Sequence, residues 1–214
     1  VIENPASVIK ELVENSIDAG ADDIKIFVEN GGIDQIKIVD NGCGIDGLEL
    51  KLALKRHATN KIIKAEDLEQ ILTYGFRGEA LSSIAAVSKF TIKSKVPEEK
   101  AGNVLVCEGG RIIGEAETAM PDGTEILIEN LFYNVPARRK FLKASSYEYS
   151  LIHQLVGKII LAAENCSFTL FNNGKKVLAV PKNLDLIGRI LKLNQNTETK
   201  DWIKVEGEGI DCRL

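Results

Sequence analysis

Glu11, Asn15 and Asp18 stand four and three residues apart in the segment Lys10-Glu11-Leu12-Val13-Glu14-Asn15-Ser16-Ile17-Asp18-Ala19-Gly20. On a helix of 3.6 residues per turn they share one side. Val8, Ile9, Leu12, Val13, Ser16 and Ile17 fall on the adjoining side, which reads as core-facing. A half-buried helix of this kind brings a carboxylate and an amide to one spot. The carboxylate can take a proton from water, and the amide oxygen can ligate a hard cation such as Mg²⁺. An ordinary amphipathic helix with a solvated polar face has the same pattern, so this segment does not decide alone.

Three glycine-marked stretches follow. Asp40-Asn41-Gly42-Cys43-Gly44 closes the strand pattern Ile36 to Val39. A carboxylate at a strand end can accept from an exocyclic amine such as that of adenine, and the glycines let the backbone pass close under a flat ring. Taken alone, the stretch also reads as a plain Asp-Gly turn. Gly75-Phe76-Arg77-Gly78-Glu79-Ala80-Leu81 runs from a loop into a helix, where freed N–H groups at the positive end of the dipole hold phosphates. A two-glycine hinge has the same look, and Arg77 reads equally as a phosphate or a carboxylate partner. Gly123-Thr124-Glu125 opens a strand, and the Thr124 hydroxyl is placed to meet a base or a water shared with Asp40. The Gly-Lys-Ser/Thr loop of P-loop nucleotidases is absent from the sequence.

The elements that must position these residues are legible by period. Asn4 caps a first helix that has Pro5 at its first position and runs to about Ala19, with Gly20 as the stop. Ile24 to Val28 and Ile36 to Val39 alternate as a hairpin around Gly31-Gly32. Asp46 with Glu49 opens a helix of about ten residues. Residues 57 to 78 read as a long loop with a short helix at 66 to 72, and Gly78 to Val87 as a small-residue helix. Phe90 to Ser94, Val104 to Cys107, Arg111 to Glu115 and Thr124 to Glu129 read as a meander. Ser146 to Glu164 is a long helix, in which His153 packs among Leu151, Ile152 and Leu155. Phe168 to Phe171 and Lys175 to Val180 form a hairpin around Asn172-Asn173-Gly174, and Leu184 to Leu193 is a short helix. These runs predict an α+β two-layer sandwich, a mixed and mostly antiparallel sheet with helices on one face. Residues 1–195 read as one domain, and 196–214 as a linker and the start of a truncated second domain.

The 214 residues carry 27 Lys+Arg against 31 Asp+Glu, a formal net charge of -4, which does not advertise nucleic-acid binding beyond a local patch. The four widely spaced cysteines form neither a metal-ligand pair nor a disulfide framework. No membrane span or signal pattern is present in the sequence, so a cytoplasmic setting is expected. Val1 is not an initiator Met, and the chain reads as a fragment. The densest basic run is Arg138, Arg139, Lys140 and Lys143. It reads equally as a contact for DNA phosphates, a solvated face or a pair for Glu148.

Taken in order, these motifs resemble the four nucleotide motifs of the GHKL (Bergerat) ATPase superfamily, which groups gyrase B, heat-shock chaperones, sensor histidine kinases and MutL. Two stretches are similar to hallmarks of the MutL mismatch-repair family, in its bacterial type: Gly75 to Leu81, and Asn130-Leu131-Phe132-Tyr133-Asn134-Val135-Pro136-Ala137-Arg138-Arg139-Lys140-Phe141-Leu142. Arg56-His57-Ala58-Thr59-Asn60-Lys61 is similar as well, with Asn60 where the family usually has Ser.

That resemblance implies ATP and Mg²⁺ as cofactors. It makes Glu11 the general base for the attacking water and Asn15 the protein ligand of Mg²⁺, with Asp18 in the nucleotide site. Asp40 would read the adenine amine with support from Thr124, and Gly42 and Gly44 would make room for the base. His57 to Gly78 would be a lid, in which Lys61 reaches the nucleotide and Gly75, Phe76, Arg77 and Gly78 face the phosphates. The family's N-terminal arm and the second-domain Lys that reaches the γ-phosphate lie outside these 214 residues. The implied function is ATP binding and slow hydrolysis, with lid ordering and an ATP-dependent homodimer. This cycle would couple a MutS-type mismatch-recognition protein to downstream nicking or unwinding enzymes on DNA, near the bacterial nucleoid. An interaction module whose output is assembly, or a gyrase B or chaperone type of ATPase, shares the pocket.

Overall fold

The computed structural model describes residues 2–54 and 80–194, together with the strand backbones 204–207 and 210–213. Helix α1 spans Pro5–Asp18. The Asn4 side chain accepts from the Ser7 N–H at 2.9 Å, and the Ser7 hydroxyl oxygen accepts from the Asn4 N–H at 3.1 Å, which closes the first turn on itself. Its core-facing stripe, Val8, Ile9, Leu12 and Val13, is fully buried.

Strands β1 (Asp23–Glu29) and β2 (Gln35–Asp40) form the expected hairpin around a 3-10 turn at Asn30–Gly32. Helix α2 (Gly47–Ala53) is shorter than the predicted ten residues. Its start is fixed by the Asp46 carboxylate, which accepts from the Leu48 and Glu49 N–H groups at 2.8 and 3.0 Å. Helix α3 covers Ala80–Ala85. The predicted helix at 66 to 72, the loop glycines and the linker beyond Asn194 lie outside the described residues.

Strands β3 (Lys89–Lys95), β4 (Gly102–Glu108), β5 (Arg111–Thr118) and β6 (Gly123–Glu129) come next. Helices α4 (Pro136–Phe141) and α5 (Ser145–Ala162) lead to the hairpin β7 (Ser167–Asn172) and β8 (Lys175–Val180), then to α6 (Leu186–Leu193). Strands β9 (Lys204–Gly207) and β10 (Ile210–Arg213) form a separate antiparallel pair.

The main sheet has the order β5-β4-β3-β6-β2-β1-β7-β8. All neighbours are antiparallel except β1 and β7, which the α5 crossover makes parallel. The predicted four-strand meander is corrected here. Only β3, β4 and β5 meander; β6 leaves β5 and inserts between β3 and β2. This insertion builds the site, because it sets Thr124 opposite both Asp40 and Ser94.

Alternation separates the two faces. Ile24, Ile26, Val28, Ile36, Ile38, Phe90, Ile92, Ile126, Ile128, Phe168 and Leu170 are buried beneath the helices. The intervening residues form the other face. There Phe27 stacks on Phe171 at 4.5 Å, and Lys37 sits 4.7 Å over the Phe27 ring. Glu125 pairs with Lys93 and Lys37 on the same face. No helix among the described residues is long and apolar enough to cross a membrane.

Candidate nucleotide site

Asp40 ends β2 beneath the last turn of α1. Its Oδ1 accepts the Gly42 N–H at 3.0 Å and the Thr124 N–H at 3.2 Å, and its Oδ2 accepts the Ser16 hydroxyl at 2.7 Å. Burial pushes the Asp40 carboxyl above its ordinary value, and the bonds from Ser16, Gly42 and Thr124 pull it back. The result is a partly buried carboxylate whose Oδ1 is filled by backbone donors, while Oδ2 keeps acceptor capacity beside Ser16.

Two further features hold this carboxylate in place. Asn41 Oδ1 accepts the N–H groups of Asp22 and Asp23 at 3.0 and 2.9 Å, which ties the end of β2 to the start of β1. Gly123 has φ +121, and a Cβ there would be driven into the carbonyl of Asp40. The chains therefore meet at a distance only glycine allows.

Contacts of the chain with itself also require glycine at positions 42 and 44. A Cβ on Gly42 would lie 2.9 Å from the Cβ and carbonyl oxygen of Ala19 at the end of α1. Gly44, with φ +74, lies against the carbonyl of Lys95. Thr124 is found where expected but bonded differently. Its backbone N–H serves Asp40, and its hydroxyl meets Ser94 Oγ at 2.9 Å.

Glu11 and Asn15 stand on α1 at partly buried positions, with Asn15 adjoining Ser16. Asp18 closes the same helix. Lys61, Gly75, Phe76, Arg77 and Gly78 fall outside the described residues. The helix therefore brings Glu11, Asn15 and Asp18 along the edge that Ser16 joins to Asp40.

Sequence reasoning missed two residues. Ser16 reads as one more member of the apolar stripe, yet its hydroxyl is the α1 contact of Asp40. Ser94 continues the buried alternation Phe90, Ile92, Ser94 and is fully buried. A lone serine on each apolar stripe is the signal that was there to be used.

Arg138, Arg139 and Lys140 of the basic run lie on the exposed helix α4, which was not predicted, and exposed Lys143 follows it. Arg138 lies 5.9 Å over the Phe132 ring, and the partner that buried Glu148 takes from this region is the Lys143 backbone N–H at 2.8 Å. His153 packs by its ring against Tyr149, with centroids 6.2 Å apart.

Asp40 thus stands fixed at a strand end under a helix that carries Glu11 and Asn15. The family profile described as histidine kinase-, DNA gyrase B- and HSP90-like ATPase matches residues 2–129. The chain belongs to this ATPase family, and within it to the MutL mismatch-repair branch. The DNA mismatch repair protein MutL of Haemophilus influenzae is 49% identical over 218 residues, covering 100% of this chain and 35% of the relative. MutL of Desulforudis audaxviator is 45% identical over 190 residues, 89% of this chain and 34% of the relative. The Aquifex aeolicus MutL ATPase domain complexed with ADP superposes with a TM-score of 0.72 at 35% identity, covering 91% of this chain and 70% of that one. The chain thus spans about a third of the length of the curated relatives it matches.

Proposed function

We propose that the chain binds ATP with Mg²⁺ between α1, the loop after β2 and β6, and hydrolyses it slowly as the N-terminal ATPase region of a MutL-like mismatch-repair protein. The observation that carries this reading is the Asp40 carboxylate, fixed by three donors with acceptor capacity left on Oδ2. Such an acceptor suits the exocyclic amine of adenine.

Glu11 is the proposed general base, because it lies one helical turn before Asn15 on the same edge. Asn15 is the proposed protein ligand of Mg²⁺, and Asp18 extends the same row. Mg²⁺ favours one or two protein oxygens completed by phosphates and water. One amide oxygen, that of Asn15 on α1, beside bound phosphates and water would meet that demand. The ion's chemistry would be to neutralise charge on the phosphates.

Lys61, Gly75, Phe76, Arg77 and Gly78 are proposed phosphate-side contacts on sequence grounds. Residues 1–195 are taken as the ATP-binding unit, and 196–214 as the way into a second domain. In the whole protein, nucleotide binding would order the lid and close a homodimer. It would pass a signal from a MutS-type protein to nicking or unwinding enzymes on DNA, without sequence-specific contacts, in the bacterial cytoplasm.

Thermal melting tests this reading. Mg²⁺ with ADP should raise Tm in proportion to the logarithm of its concentration above Kd, and GDP at equal concentration should not. The ADP shift should shrink as pH falls into the raised titration range of Asp40, since a proton on the carboxyl takes up the acceptor capacity of Oδ2. Equal shifts from ADP and GDP would contradict the assignment of Asp40.

A further inference from the structure

We propose that Ser94 is the positioning residue that sets base preference in this pocket, by making the Thr124 hydroxyl an acceptor only. The proposal rests on the reading of the Asp40 pocket as the base site.

Ser94 Oγ has three partners: the Ile45 N–H at 2.8 Å, the Gly123 carbonyl at 3.1 Å and Thr124 Oγ1 at 2.9 Å. The Ile45 N–H can only donate, and the Gly123 carbonyl can only accept. With all three contacts made at once, the single Ser94 proton goes to Gly123. The contact between the two hydroxyls can then form only if Thr124 donates. Ser94 is left with both lone pairs and its proton in use, as a fully buried hydroxyl requires.

Thr124 is left with lone pairs alone. Its side chain shares a sheet face with Asp40 and Ser94, its direct cross-strand partners. Asp40 Oδ2, already holding the Ser16 proton, is also an acceptor. The pocket edge thus presents two acceptors whose polarity is fixed by groups behind them. A purine with an amine at C6 satisfies them by donating. A purine with a carbonyl at C6 sets an acceptor against acceptors and leaves them unpaired.

The experiment is calorimetric titration of the 214-residue chain with Mg²⁺ and ATP, and with Mg²⁺ and ITP, whose base carries the C6 carbonyl. The wild type should favour ATP by about a hundredfold or more. Ser94→Ala frees the Thr124 proton to turn toward a C6 carbonyl, so the ATP/ITP ratio should fall about tenfold. Where Ser94→Ala does not fold, Ser94→Cys serves, because a thiol is a weak acceptor and holds the Thr124 proton poorly. In a Thr124→Val background the Ser94 substitution should leave the ratio unchanged, since no hydroxyl remains to orient.

A strongly ATP-selective wild type whose ratio survives Ser94→Ala would overturn the proposal and leave the base-site reading intact. A Ser94 effect of equal size in the Thr124→Val background would also overturn it, by making Ser94 a packing residue. A wild-type ratio near one would sink the base-site reading itself.

Discussion

Glu11→Ala in the full-length protein is expected to lower ATP turnover by about 10²–10⁴-fold and to leave nucleotide affinity within a few-fold. The expectation follows from where the side chain stands. Glu11 is only partly buried, and the stripe that holds α1 in the core is Val8, Ile9, Leu12 and Val13. The helix start is held independently by Asn4 and Ser7, and its last turn by Ser16 on Asp40. Truncating Glu11 should therefore leave the helix and the Asp40 pocket in place and remove one proton acceptor. Steady-state phosphate release, measured beside nucleotide binding, checks it. Undiminished turnover would remove Glu11 from the role of base. A parallel loss of affinity would make it a binding residue instead.

Arg189→Met is expected to destabilise the fold by about 3–5 kcal/mol, a drop in Tm on the order of 10 °C. Arg189 is fully buried on α6. Its guanidinium donates to the carbonyls of Ile160 at 2.9 Å, Cys166 at 2.9 Å, Pro181 at 3.4 Å and Glu164, and its Nε to that of Leu184 at 3.2 Å. Those carbonyls belong to the end of α5, the approach to β7 and the exit from β8. One planar fork thus joins three elements and satisfies the orphan carbonyls of a helix end. Methionine fills much of the volume but donates nothing, so the buried carbonyls of Ile160 and Cys166 lose the donor they have in Arg189. Arg189→Lys should recover little, because an ammonium cannot span five carbonyls as a rigid fork does. Urea or thermal unfolding reads the result, and a Tm within two degrees of wild type would show that water replaces the fork.

Much of this was legible in the residues, for local reasons. Asn4-Pro5 announced α1, and the β7–β8 hairpin was marked by Asn173-Gly174, which take φ +49 and +72 at its turn. Asp40, Thr124 and the Glu11 row were visible as types and spacings. The strand order was not, since period reports which face is buried and says nothing about the neighbour. β6 follows β5 in the chain yet pairs with β3 and β2. Helix α4 escaped because its six residues have no buried face and hence no apolar period. Ser16 and Ser94 were hidden because a buried hydroxyl takes its meaning from partners distant in sequence: Asp40 is 24 residues from Ser16, and Thr124 is 30 from Ser94.

The most direct measurement is a calorimetric titration of the chain with Mg²⁺ and a non-hydrolysable ATP analogue, with Asp40→Asn alongside. The asparagine oxygen can still accept from the Gly42 and Thr124 N–H groups, and the variant relieves the chain of a buried charge, so the fold should persist. Its amide nitrogen places a donor where the adenine amine needs an acceptor. The wild type should bind one nucleotide per chain, and the variant should bind about a hundredfold more weakly or worse. Equal affinity in the two proteins would contradict the base pocket on which the account rests.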